Sequence, residues 1–87
     1  MQIVAFDYGE KKIGVAVGQT ETNTSSPLQI IFNNNHNKVN WNKISFLLNE
    51  WKPDLVIIGK PLNMDGTDSE IMKKVEKFVK HLKTIYD

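Results

Sequence analysis

Apolar residues recur along this chain with two different periods, and the switches between them mark out strands and helices. Residues 2–6 are apolar on both faces within a first strand over 2–8, residues 13–18 alternate large with small within a second over 12–19, and residues 26–33 form a third short run. Three strands joined by turns therefore come first, as an antiparallel meander. In the second, Ile13, Val15 and Val17 point one way and Gly14, Ala16 and Gly18 the other. Glycine inside a strand marks a close approach, and packing against a helix is its preferred cause here. Trp41, Ile44, Leu47, Leu48 and Trp51 then recur at helical spacing over residues 40–51, with Pro53 limiting the helix. Both tryptophans share that apolar stripe, so they read as core rather than as platforms for bases. Residues 55–58, closed by Gly59, suit a buried parallel strand, and a loop runs on to residue 68. Thr67 with Glu70 makes a capping box for a last helix whose stripe is Ile71, Val75, Phe78, Val79, Leu82 and Ile85. Its Lys73, Lys74, Lys77, Lys80 and Lys83 read as a solvated face, with phosphate contact as the alternative.

One residue breaks the apolar logic. Asp7 ends the first run immediately before a turn containing Gly9, although aspartate is depleted from strands and costly to bury unpartnered. Two readings stand at this point: a metal ligand, or a turn-capping side chain that bonds its own backbone.

Composition narrows the setting. At 87 residues the chain is one small domain at most, and without cysteine neither a disulfide nor a thiolate metal site supports its core. No apolar run approaches the ~20 residues of a membrane span, and the N-terminus lacks the basic region and cleavage site of a signal peptide. A soluble cytoplasmic protein with no membrane partner is the expectation. A net charge of +1 is too near neutral to argue nucleic-acid binding. All eleven basic residues are lysines, and the asparagines at 33–35 and 37 read as a polar loop without assigned chemistry. His36 and His81 show no ligand spacing.

The order aspartate, any residue, glycine, any residue, lysine, basic, isoleucine, glycine in Asp7–Gly14, followed by Val15-Ala16-Val17, resembles the first motif of the YqgF family. These are small RNase H-like proteins described as Holliday junction resolvases and as nucleases that process the precursor of 16S ribosomal RNA. Residues 26–31 are similar to the family's third strand, residues 51–59 to the segment leading into its glycine, and residues 60–67 to its proline-leucine loop. Lys12 departs from the family's usual arginine, replacing a planar fork by a point charge, and Lys60 from a usual apolar residue. Members of the family are longer, and their other acidic motifs would fall beyond Asp87. The resemblance thus implies an N-terminal part of such a protein.

It also implies an α/β, RNase H-like fold: the meander, then helix, parallel strand and helix, with the C-terminal strand and helices missing. In that fold the fourth strand lies parallel beside the first, which brings Gly59 and Lys60 near Asp7. Phosphodiester cleavage in the superfamily uses paired divalent cations about 4 Å apart, Mg²⁺ or Mn²⁺, held by converging carboxylates. Asp7 is then the catalytic residue and shared metal ligand, of which the isolated chain would hold only a weak share. Lys11, Lys12 and Lys60 are the candidate phosphate contacts, and Gly9, Gly59, Pro61, Asn63, Asp65 and Gly66 line the cleft, although an Asp before Gly, as in Asp65-Gly66, is more often a turn former. The implied substrate is structured nucleic acid, either precursor rRNA or a four-way DNA junction. An exposed edge on the fourth strand implies a possible homodimer. Two rival classes remain: a phosphate-binding module of the sugar-kinase and actin type, and a non-catalytic nucleic-acid or protein-binding remnant.

Overall fold

The computed structural model of the chain describes residues 1–34, 38–59 and 69–86. The element order is β1 (Gln2–Asp7), β2 (Lys12–Gln19), β3 (Thr24–Phe32), α1 (Trp41–Trp51), β4 (Leu55–Gly59) and α2 (Ser69–Ile85). The strands form one sheet in the order β3-β2-β1-β4, antiparallel across the meander and parallel between β1 and β4. This is the mixed α/β architecture that the resemblance implies for the N-terminal part of an RNase H-like fold.

Alternation in the strands decides which face the helices cover. Val4 and Phe6 of β1, Ile13 and Val15 of β2 and Ile31 of β3 are buried with Ile44, Leu47 and Leu48 of α1 and Val75, Phe78 and Leu82 of α2. Each such side chain contributes about 1.5–3 kcal/mol by leaving water. The ring of Phe78 meets Phe6 edge-on at 5.9 Å, and Trp41 stacks on it at 5.0 Å. Both tryptophans pack against this core, as their place in the apolar stripe requires. His81, without metal-ligand spacing in the sequence, stacks on Trp41 with ring centroids 4.0 Å apart.

Local chemistry sets the ends of the elements. The Asn40 side chain accepts from the Lys43 backbone N–H and caps α1 at its start. Lys52, with φ of 46°, turns the chain into the left-handed region, donates its N–H to the Leu48 carbonyl at 2.8 Å and hands over to buried Pro53. Asp54 then starts β4 by exchanging bonds with Gln2: its N–H donates to the Gln2 carbonyl, and its carboxylate accepts from the Gln2 N–H, both at 2.8 Å. Pro27 falls on β3, an edge strand, where a missing N–H is tolerated. Thr67, half of the capping box expected for α2, lies outside the described residues.

Two expectations are corrected. The strand at 55–58 is parallel, as anticipated, but it is buried on one face only: Leu55 and Ile57 are 45% and 46% exposed. Nor does a helix explain the glycines of β2. Both described helices cover the opposite face, and a Cβ on Gly14 or Gly18 would meet Asp7 or the Thr24–Ser25 strand instead. Among the described residues no helix is long and apolar enough to cross a membrane.

Candidate functional site

β1 runs between two partners, and its last residue is the site's acid. Asp7 pairs with Gly14 of β2 on one side and with Gly59 of β4 on the other, so the two glycine-bearing motifs and the carboxylate meet at one end of the sheet. A Cβ built on Gly14 would lie 3.7 Å from the Asp7 Cβ, and one on Gly59 would lie 4.0 Å from Asp7 Oδ1. A longer side chain at either position would crowd the carboxylate. Asp7 itself is exposed, and among the described residues no donor or cation engages its side chain. The turn-capping reading therefore has no hydrogen bond to support it.

The turn after Asp7 is built to hold its shape. A Cβ on Gly9 would stand 2.6 Å from the Lys12 carbonyl oxygen, a distance that only glycine avoids. Tyr8 is buried against Phe78, with ring centroids 5.3 Å apart, and anchors the start of the turn in the core. Burial pushes its phenol above the usual value, with the charge of Lys74 opposing the rise and that of Glu10 adding to it. Glu10 pairs with Lys74 of α2 at 2.8 Å. Both side chains are about half exposed, which limits the pair to at most about 1 kcal/mol.

Asn33, which the sequence presents as part of a polar loop, is the turn's main fastener. Its side-chain amide donates to the carbonyls of Glu10 at 2.7 Å and Gly9 at 3.3 Å, and its backbone N–H donates to the Lys11 carbonyl at 2.9 Å. The signal was available only from geometry, because a meander brings the end of β3 beside the turn that opens β2. Lys11 and Lys12 are both exposed on that turn and strand start. Lys60, Pro61, Asn63, Asp65 and Gly66 lie outside the described residues.

The fit to a divalent cation is partial. Asp7 offers an oxygen ligand of the right hardness in a cradle kept open by glycine, but a metal pair needs several converging carboxylates. Among the described residues no group of three His, Cys, Asp or Glu converges to hold a metal.

Comparison with known proteins adds the family. A family model described as RuvX, Holliday junction resolvase, matches residues 1–87. A protein of Aeromonas salmonicida is 53% identical over 76 residues, which cover 87% of this chain and 54% of that protein. One of Shewanella denitrificans is 46% identical over 80 residues, covering 92% and 56%. One of Buchnera aphidicola is 48% identical over 86 residues, covering 99% and 62%. All three carry the provisional name pre-16S rRNA nuclease. The chain thus spans between about half and three fifths of the length of these relatives.

The role given to Asn33 is open to direct test. Asn33→Ala removes both side-chain bonds to the turn and is expected to cost about 1–2 kcal/mol, at about 1 kcal/mol per net hydrogen bond. Asn33→Asp should cost more, because its carboxylate would face the carbonyls of Gly9 and Glu10 with no proton to donate. Denaturant midpoints of the two variants check the order, and an Asp variant as stable as the parent would contradict it.

Proposed function

The chain belongs to the RuvX Holliday junction resolvase family, and from that premise we propose that it is the part of a nuclease carrying the first carboxylate, phosphate-facing lysines and one wall of the cleft. The observation that supports this most is register: a strand-end Asp7 flanked by Gly14 and Gly59. In a phosphodiesterase such a carboxylate holds one ligand position at the scissile phosphate. A divalent cation, Mg²⁺ or Mn²⁺, supplies charge neutralisation and a more acidic bound water when present. Asp7 orients that centre from a rigid strand, while Lys11 and Lys12 set positive charge beside it. Lys60 and the loop of Pro61, Asn63, Asp65 and Gly66 continue directly from Gly59. Precursor rRNA is the favoured substrate, since the relatives are named for it; the family's description makes a four-way DNA junction the second.

Asp7→Asn keeps shape and removes charge. In the protein extended to the length of its relatives, we expect Mg²⁺-dependent cleavage of precursor rRNA to fall at least about 100-fold, since the charge at the reacting centre is lost while circular dichroism stays unchanged. Cleavage at the parental rate would remove Asp7 from the mechanism. The 87-residue chain, with Asp7 as the site's one carboxylate among the described residues, is expected to show no appreciable cleavage, and robust activity from it would mean that the centre is assembled differently.

The lysines are tested by salt. Replacing Lys11, Lys12 and Lys60 with Ala should weaken binding across nucleic-acid sequences and reduce the slope of log affinity against log salt by about one unit for each phosphate no longer neutralised. An unaltered slope in the triple variant would return them to an ordinary solvated surface.

The outer edge of β4 carries no strand among the described residues, and a free edge is a template for pairing. A second copy of the chain is the partner we propose for it. Sedimentation across a range of concentrations should then show mass rising with concentration, and a constant monomer mass would exclude the pairing.

A further inference from the structure

The strongest feature outside the Asp7 turn is an aromatic side chain on the wrong side of the sheet for core packing. Phe32 ends β3 and is 67% exposed, on the face opposite both described helices. Its partner in register is Lys12, one pair beyond the Gly14↔Ile30 pair on the same face. Because Gly14 pairs with Asp7 on its other side, Phe32, Lys12 and Asp7 share one face and one end of the sheet. Strand spacing of about 4.8 Å and a rise of about 3.3 Å per residue put the Phe32 backbone roughly 12 Å from that of Asp7, within reach of the same few nucleotides.

The surroundings complement a nucleic-acid strand rather than an apolar protein. Lys11 and Lys12 are exposed beside Phe32, and Lys38 is held close by two bonds to Asn34, its N–H donating to Asn34 Oδ1 and its carbonyl accepting from the Asn34 N–H, both at 3.0 Å. Phe32 also borders a cleft of about 440 Å³ whose other walls are Asn34, Val39, Asn40, Trp41 and Asn42. An aromatic face flanked by lysines is the arrangement that binds single strands, the base stacking on the ring and the cations tracking the phosphates.

We propose that Phe32 is a stacking platform for an unpaired base in the single-stranded flank of the substrate, with Lys12 on the adjoining phosphate. This deepens the nuclease reading and rests on it. Phe32 then positions the strand relative to Asp7 and takes no part in the bond-breaking itself. A duplex keeps its bases stacked on one another, so the platform selects for unpaired nucleotides beside the cut.

The test uses the 87-residue chain and an unstructured oligoribonucleotide carrying 2-aminopurine, whose fluorescence reports stacking. The parent and Phe32→Tyr should bind and change the probe's emission alike. Phe32→Ala should bind roughly 5- to 100-fold more weakly, without the emission change and with an unchanged salt slope. Lys12→Ala should keep the emission change and lose about 0.7 of a unit of slope. Phe32→Ala behaving as the parent would overturn the stacking role while leaving the nuclease reading intact. A Phe32→Ala that binds normally but no longer self-associates in sedimentation would assign this face to a protein partner instead. Failure of the parent to bind any RNA, structured or single-stranded, would remove both readings.

Discussion

Everything at the site depends on β1 being an inner strand. It is held antiparallel to β2 over six residue pairs and parallel to β4 over five, and the bonds between Gln2 and Asp54 start the parallel pairing in step. Strand register is all-or-none in its consequences, because a slip of one residue turns every side chain to the other face. Val4 and Phe6 are locked into the helical side by the core, so Asp7 can only lie on the opposite face of the sheet, between two glycines. The carboxylate's position is therefore set by hydrophobic burial several residues away.

The same core reaches the turn. Tyr8 packs on Phe78 of α2, Glu10 pairs with Lys74 one turn earlier in that helix, and Asn33 at the end of β3 bonds three carbonyls in a row, from Gly9 to Lys11. Elements distant in sequence thus hold a turn of four residues. In the proposed role a carboxylate tolerates little drift, since misplacement by even 1 Å is costly. Here the precision comes from packing and backbone bonds rather than from partners of the acid itself, which leaves Asp7 accessible.

The sheet is covered by described helices on one face only. On the other, Ile30, Phe32, Leu55 and Ile57 are 49%, 67%, 45% and 46% exposed. That face divides by its neighbours. Near Leu55 and Ile57 it borders the edge of β4, while near Phe32 it is edged by Lys11 and Lys12, and the two ends suit different chemistry. Apolar area without cations favours another protein surface; an aromatic ring among lysines favours nucleic acid.

Periodicity and short apolar runs determined the six elements and their order, with Gly9, Asn33, Pro53 and Gly59 falling at or just beyond the ends of four of them. They also singled out Asp7, because a carboxylate closing an otherwise apolar strand departs from the pattern. The motif resemblance supplied the family, and with it the parallel placing of β4 beside β1, which no period encodes. What only the tertiary structure decided are the contacts between elements far apart in the chain. Asn33 looked like one of several loop asparagines until β3 was laid beside the turn at Gly9. Phe32 and Leu55 looked like strand interior, because alternation tells which residues share a face but not whether that face is covered. Burial is a property of the neighbours, and a strand's own sequence does not contain them.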